Sequence, residues 1–264
     1  MIRTKVGQDK KVVFESIAEL VEFNRHTERT NKYKNYHTSD EKGEYKTEWT
    51  KTKSYEEAED LLLHGWGEMA EKLTVKVGNI NNANNFKNKT IYDVQGFQCS
   101  VPRYLQGIPT NMVNKKSVPV KQKVINIVKD FGYNASTSAK QIEDESIKVL
   151  KVVQALESKG QRVNLFITFV SRERGYFVEI TLKIKNASQR LNIKQTAFPL
   201  VHPSMFRRIL FGTIERLEES KNFGTGYGWC TGWEETKHLF KGSYYIPRIV
   251  KEQEITDIQK YYIE

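Results

Sequence analysis

The spacing of hydrophobic residues in the first part of the chain predicts helices separated by irregular segments. Capping boxes begin at Ser16 and Ser54, where a Ser side chain and a Glu three residues later satisfy free backbone N–H groups at a helix start. The range 55–73 repeats apolar residues every three or four positions, which predicts one amphipathic helix with its apolar stripe on a core. The segment 26–49 has no helical period and indicates an exposed loop or an edge hairpin.

The pattern changes near residue 120 to one typical of alternating strands and helices. An apolar strand from Val124 to Val128 leads through the turn "DFGYNASTS" into a helix that begins at about Ala139 and stops at Gly160. A second apolar strand spans residues 162–170. Strand, helix and strand in so short a stretch predict a βαβ unit with parallel strands and a right-handed crossover.

The following segments predict how this sheet continues. A Gly-containing turn at "SRERG" predicts a hairpin, so the strand at 176–185 is antiparallel, and its partly charged alternation predicts an edge strand. A short strand at 197–201 and a helix that starts at Pro203 come next. We therefore predict an α/β fold with a helical and irregular N-terminal region, residues 1–118, and a Rossmann-like domain, residues 119–264.

Composition and charge limit the remaining classes of protein. The chain has 264 residues, and its 38% hydrophobic and 11% aromatic content is too high for a disordered protein. No secretion signal or membrane span is predicted, so we expect a cytoplasmic protein without a membrane partner. The formal charge of +10 favours a nucleic acid or another polyanion as partner. A chain rich in Lys and Asn also arises from AT-rich coding, with no binding function.

The turn after the first predicted parallel strand is the best-placed candidate ligand site. Ligands of open α/β sheets bind beyond the carboxyl ends of parallel strands, and this position holds the polar residues Asp130, Asn134, Ser136 and Ser138. The alternative is a structural turn in which Ser136 or Ser138 caps the next helix. The glycine patterns of Rossmann and P-loop phosphate sites are absent, and the histidines lack metal-ligand spacing. We therefore predict no cofactor, no metal ligands and no catalytic residues.

Basic and aromatic residues mark two segments that could contact an anion. Arg207 and Arg208 are adjacent on the predicted helix after Pro203; they either meet an anion or lie on a solvated helix face, and we favour the solvated face. Tyrosines and lysines interleave within residues 32–49, where rings could stack on bases and ammonium groups could contact phosphates.

The Gly-rich segment "FGTGYGWCTGW", residues 223–233, is predicted to be an exposed recognition loop. Its large aromatic residues Tyr227, Trp229 and Trp233 are of the types that anchor interfaces when they are desolvated. The competing interpretation is that the rings fold back onto the domain as a satellite core.

Three motifs resemble a known group of sequences. With "SYEEAEDLLLHGWGE", "QGFQCSVPRYLQGIPTNM" and "FPLVHPSMFRRILF", the chain resembles an uncharacterised protein family of phages and other bacterial mobile elements. This resemblance covers most of the chain, implies a phage or prophage origin inside the host bacterial cell, and brings no established activity.

The predicted order of strands and helices also resembles the von Willebrand factor A-type fold. In that family the first strand ends in Asp-x-Ser-x-Ser, which implies a divalent-cation site there. Here Asp130 is followed by Phe131, and the serines Ser136 and Ser138 are displaced along the chain, so the metal site is not carried over.

These observations predict a non-enzymatic phage or mobile-element accessory protein that binds a nucleic acid, or a host or phage protein, inside the cell. One alternative is a divalent-metal-dependent enzyme with its site at the Asp130 turn. A second alternative is a component of virion assembly. The sequence does not determine the oligomeric state.

Overall fold

The structure is a computed structural model that describes residues 1–6, 9–32, 48–78, 86–119, 123–133, 137–173, 176–221, 223–224, 231, 233–248 and 258–264. These residues form a mixed α/β fold with a six-stranded mixed sheet, the main sheet, and a three-stranded antiparallel sheet. The strands are β1 (Ile2–Val6), β2 (Asp9–Phe14), β3 (Phe86–Asp93), β4 (Gln98–Cys99), β5 (Met112–Pro119), β6 (Val124–Asp130), β7 (Arg162–Glu173), β8 (Tyr176–Lys185) and β9 (Tyr244–Ile246). The α-helices are α1 (Ile17–His26), α2 (Tyr55–His64), α3 (Gly67–Val77), α4 (Val101–Leu105), α5 (Ala139–Ser158), α6 (Ile193–Val201), α7 (Phe211–Ile214) and α8 (Trp233–Thr236).

The predicted βαβ unit and hairpin are confirmed. Strand β6 pairs in parallel with β7 after the crossover helix α5, and β7 pairs antiparallel with β8. Strand β9 lies on the other side of β6 and is parallel to it. The strands of the main sheet follow the order β1-β2-β8-β7-β6-β9.

The predicted helix starts at Ser16 and Ser54 are also confirmed. Each serine side chain accepts a hydrogen bond from the backbone N–H three residues later, at 3.1 Å from Glu19 N and from Glu57 N. Both helices therefore begin where the capping pattern predicts.

The single helix predicted over residues 55–73 is interrupted, and this prediction was wrong. Gly65 has φ +81°, and a Cβ at that position would lie 2.6 Å from the carbonyl oxygen of Lys194. The chain turns there because only glycine tolerates both the positive φ and the close backbone contact. The apolar stripe is consequently divided between α2 and α3.

Two strand predictions were also wrong. Strand β8 is not an edge strand, because β2 pairs with it in parallel on the side away from β7. The range 197–201 belongs to helix α6, which is capped by Asn192. A short apolar run cannot be assigned to strand or helix by periodicity alone, and here burial on all sides removes the polar positions that would reveal a period.

The N-terminal region contributes to the same core as the rest of the chain. Strands β1 and β2 extend the main sheet, and side chains of α1, α2 and α3 lie in one hydrophobic cluster with those of β6, β7, β8 and α5. The predicted division between residues 118 and 119 therefore does not separate two hydrophobic cores.

The two faces of the main sheet have different covers. The larger hydrophobic cluster packs one face against the helices, with Ile127, Leu165 and Ile180 fully buried in it. The other face carries a smaller cluster, in which Val128, Val170 and Tyr245 pack against Leu239 and Phe240 of a 3₁₀ turn.

Candidate functional site

The predicted candidate residue Asp130 ends β6 and is buried, with 4% of its surface exposed. Its Oδ1 accepts a hydrogen bond from the Gly132 N–H at 2.8 Å, and its Oδ2 accepts one from the Tyr245 hydroxyl at 2.7 Å. Burial raises the pKa of Asp130, while the bonds from Tyr245 and Gly132 and the charge of Lys129 lower it in part. Both carboxylate oxygens therefore already have donors from the protein.

This position lies between two parallel neighbours of the same strand. The crossover after β6 leads to β7 on one side, whereas β9 pairs with β6 on the other side, so the strand order reverses at β6. Such a switch point is where open α/β sheets bind ligands. At this switch point, Tyr245 of β9 lies next to Asp130 and is hydrogen-bonded to it. Burial raises the pKa of the Tyr245 phenol well above the ordinary value.

The neighbouring residue Lys129 points to the opposite face of the sheet, because successive strand residues alternate. Its Nζ lies 3.3 Å from Oε1 of Glu145 on α5 and donates to the Pro247 carbonyl at 2.6 Å. Burial lowers the pKa of Lys129, and the Glu145 carboxylate opposes this shift. This is a buried ion pair that joins the end of β6 to the crossover helix.

The other predicted residues of the turn are only partly described. Asn134 and Ser136 lie outside the described residues. Ser138 caps α5: its Oγ accepts from Gln141 N at 3.2 Å, and its backbone N–H donates to the Gln141 side chain at 2.9 Å. The capping alternative is thus confirmed for Ser138.

One buried polar group at the turn is not hydrogen-bonded within the described part of the chain. The Tyr133 hydroxyl is buried and has no hydrogen-bond partner among the described residues. Within that part of the chain, no cluster of three His, Cys, Asp or Glu side chains could hold a metal ion. Ligand binding at the turn, and the metal-dependent enzyme that would use it, stay predictions.

Arg207 and Arg208 do not lie on a solvated helix face, so that favoured interpretation was wrong. Both are buried in a π-helical segment, Met205–Leu210. Arg208 donates to the carbonyls of Thr52 and Lys53 at 3.0 and 3.2 Å. Arg207 packs over the Trp49 ring at 4.9 Å, and burial lowers its pKa to about 10. The two guanidinium groups thus connect the buried π-helical segment with residues 49–53, which lie just before α2.

The aromatic loop prediction can be followed only at its ends. Phe223 is fully buried in the larger hydrophobic cluster, which agrees with the satellite-core alternative at this residue. Trp233 begins α8, and Tyr227 and Trp229 lie outside the described residues. The Tyr and Lys residues at positions 33–47 lie outside them as well.

A surface that was not predicted as a site is the small sheet, which we define as residues 86–119 with strands β3, β4 and β5 and helix α4. No described side chain of this segment is buried. Six of the eleven large hydrophobic residues that are exposed in the described part of the chain lie within it: Tyr92, Val94, Phe97, Val101, Tyr104 and Leu105. Tyr92 lies on β3, Val94 and Phe97 lie between β3 and β4, and the other three lie on α4, so this segment presents apolar groups to the surface instead of enclosing a core of its own.

The small sheet is also strongly basic. It contains four lysines and Arg103 against one acidic residue, Asp93. The Arg103 guanidinium lies 4.4 Å from the centre of the Tyr92 ring, and the Lys115 ammonium lies 5.4 Å from the centre of the Phe97 ring. Cations and exposed rings are therefore neighbours on this surface.

The signal for this surface was present in the sequence. The segment "YDVQGFQCSVPRYLQGIPT" has apolar residues without either a helical or a strand period, and Gly and Pro residues interrupt it. Such residues cannot share one buried face, and acidic residues are nearly absent around them. The excess of basic over acidic residues, taken together with the lack of a helical or strand period, predicts that the apolar residues of this segment are exposed.

Comparison with known proteins gives a family without an assigned activity. A family model described as "Domain of unknown function (DUF7192)" matches residues 4–262. The chain therefore belongs to the DUF7192 family. No curated protein and no solved structure shows significant similarity to it. The described helices include none that is long and apolar enough to cross a membrane.

Proposed function

We propose that this member of the DUF7192 family is a non-enzymatic nucleic-acid-binding protein, and that the small sheet is its binding surface. The observation that carries the proposal is the concentration of exposed large hydrophobic residues between Tyr92 and Leu105. A monomeric protein seldom exposes so many neighbouring apolar side chains unless they contact a partner.

The charge of the small sheet favours nucleic acid over a protein surface. Four lysines and one arginine against a single aspartate supply the positive potential that phosphates require. Exposed aromatic rings supply surfaces on which bases stack. A typical protein interface is depleted in lysine, whereas two exposed lysines, Lys115 and Lys116, stand together on β5.

The buried ionic groups at the end of β6 are not part of the proposed binding surface. Asp130, Lys129 and Glu145 have partners within the protein and are buried, so a polyanion would not reach them without unfolding the edge of the sheet. Binding is assigned to the small sheet alone among the described residues. Nucleic-acid contact by the interleaved aromatic and lysine residues of the range 32–49 stays a prediction.

The proposal includes a phage or mobile-element origin and a location in the bacterial cytoplasm. It also includes a von Willebrand A-like arrangement of the main sheet. Support for that arrangement comes from β7, β6 and β9, which are parallel, and from β8, which is antiparallel beside β7. The pairing of β2 with β8 departs from it.

The proposal is tested by fluorescence anisotropy with labelled oligonucleotides at low salt. We expect sequence-tolerant binding in the range of about 10⁻⁶ to 10⁻⁴ M that weakens as salt rises. The triple variant Lys89→Gln, Lys115→Gln, Lys116→Gln should weaken binding about tenfold or more, and it should reduce the salt slope by up to about three.

The matched control removes the same charge from another surface. Lys140→Gln, Lys151→Gln, Lys159→Gln neutralises three exposed lysines on or just after α5, and binding should change less than about twofold. Equal weakening by both triple variants would show that total charge alone causes binding. Absence of binding by the wild-type protein to any probe would reject the proposal, and a protein partner, virion components included, would then be sought.

A further inference from the structure

The pairing of β3, β4 and β5 sorts the side chains of the small sheet onto two faces. Residues opposite each other in an antiparallel pair share a face, and neighbours along a strand alternate. Tyr92 is opposite Val113, and Thr90 is opposite Lys115. Gln98 of β4 is also opposite Val113. We call the face with these five residues the tyrosine face.

The opposite face has different chemistry. Lys89 is opposite Lys116, Ile91 is opposite Asn114, and Asp93 is opposite Met112. Lys89 and Lys116 are on this face, which has no aromatic residue at these three pairs and carries Asp93, the single acidic residue of the small sheet. Among the six residues of these pairs and the five of the tyrosine face, the aromatic one is Tyr92.

Two cation–ring pairs belong to the tyrosine face. Lys115 projects from it and lies over Phe97, which precedes β4, and Arg103 of α4 lies over Tyr92. Arg103 is held in place, since its side chain donates to the Thr110 carbonyl at 2.9 Å and to the Thr110 hydroxyl at 3.1 Å. Tyr92 is 49% exposed and Phe97 61% exposed, so both rings remain open to solvent.

Exposed rings discriminate between single strands and duplexes. In a duplex each base is already stacked on its neighbours and presents only its edges, so an aromatic side chain gains no stacking from it. In a single strand the bases can leave the stack and lie on protein rings, while cations beside the rings contact the phosphates. A helix that could enter the major groove is not needed for this mode of binding.

We propose that the tyrosine face selects single-stranded nucleic acid over duplex, with bases stacked on Tyr92 and Phe97 and phosphates contacted by Arg103 and Lys115. This inference rests on the proposed function of the small sheet and adds the form of nucleic acid that it prefers. Single-stranded RNA and DNA share the chemistry, so both are used as probes.

The test measures affinity for a labelled 20-nucleotide single strand and for the duplex of the same sequence at one salt concentration, with the full-length protein. The wild-type protein should bind the single strand about tenfold or more tightly than the duplex. Tyr92→Leu and Phe97→Leu should each weaken single-strand binding about tenfold and leave duplex binding within about twofold.

Conservative and matched variants separate loss of stacking from loss of folding. Tyr92→Phe keeps the ring and should keep single-strand affinity within about twofold of the wild type. Both lysines of β5 are exposed, but only Lys115 projects from the tyrosine face and lies over Phe97, so Lys115→Gln should weaken single-strand binding more than Lys116→Gln.

Each outcome decides between distinct conclusions. Equal affinity for single strand and duplex, or equal losses from Lys115→Gln and Lys116→Gln, would overturn the single-strand inference while nucleic-acid binding itself still holds. Binding to RNA only or to DNA only would keep the inference and identify the sugar. Failure of the wild-type protein to bind either form would remove the proposed function together with this inference.

Discussion

The end of β6 and the small sheet place their polar and apolar groups in opposite ways. At the end of β6, the charged residues Lys129, Asp130 and Glu145 are buried, and each contacts a partner inside the protein. In the small sheet, aromatic and aliphatic side chains face solvent, and cations stand beside them.

The difference indicates which region maintains the fold and which can meet a partner. A buried charge must be paired, and the pair then depends on correct folding around it. An exposed ring contributes little to stability and is free to contact a ligand. Substitutions at the end of β6 should therefore change the free energy of unfolding, and substitutions in the small sheet should change binding.

The largest effect on stability is expected from Glu145→Ala. This change leaves the Lys129 ammonium buried without its carboxylate, which costs about 3–5 kcal/mol in the free energy of unfolding. Urea denaturation measures the loss, and nucleic-acid binding by the folded fraction should be unchanged. Glu143 lies on the same helix as Glu145 and forms an exposed ion pair with Lys76 of α3. Glu143→Ala should therefore have a much smaller effect.

A double variant sharpens this first prediction. Lys129→Met with Glu145→Leu removes both charges and should recover most of the lost stability, because an apolar pair has no desolvation penalty. Similar losses from Glu145→Ala and Glu143→Ala would show that the pair is not effectively buried. The contrast between the two regions would then fail.

A smaller, pH-dependent effect is expected from His202. The ring is buried between Trp66 and Phe198, its Nδ1 accepts from Ser204 N at 3.1 Å, and burial lowers its pKa from 6.5 to about 4. As pH falls below 6.5, the unfolded chain binds a proton that the folded protein does not bind. Stability is therefore lost on acidification, by about 2 kcal/mol between pH 7 and pH 5.

This pH dependence can be assigned by substitution. Urea denaturation measures the free energy of unfolding at pH 7 and at pH 5. In His202→Gln, the difference between these two values should be about 2 kcal/mol smaller than in the wild-type protein. His64→Gln, at an exposed histidine on α2, is the matched control for replacing an imidazole outside the core. An unchanged difference in His202→Gln would mean that the ring is already accessible to protons in the folded state.

The smallest of these effects is expected from Tyr245→Phe. It removes the hydroxyl that donates to Asp130 at 2.7 Å and should destabilise the protein by about 1–2 kcal/mol at neutral pH. The folded-state pKa of Asp130 is raised, so the carboxyl is protonated as pH falls through it, and the penalty should shrink there. Thermal denaturation over a pH series measures this trend.

The adjacent tyrosine offers a control for the same measurement. Tyr244 donates to the neutral Gln259 side chain over 3.3 Å, so Tyr244→Phe should cost less and show no comparable dependence on pH. A penalty for Tyr245→Phe that stays constant across the pH series would contradict a hydrogen bond whose strength depends on the charge of the Asp130 carboxyl.

The sequence by itself determined the elements that depend on local chemistry. The capping serines Ser16, Ser54 and Ser138 act through backbone groups three residues away, and the strands around α5 are rich in apolar residues. These signals need no distant partner. They located the βαβ unit and, at the end of β6, the turn with Asp130.

Only the tertiary structure decided the roles of residues whose partners are distant in the chain. Tyr245 reaches Asp130 across 115 positions, Arg208 meets Thr52 across 156, and β2 covers the edge of β8 from the other end of the chain. Local pattern cannot show whether a charge is solvated or buried when the covering segment is remote. The small sheet is the converse case, because its apolar residues look like core in composition and are exposed where no other described element folds over them.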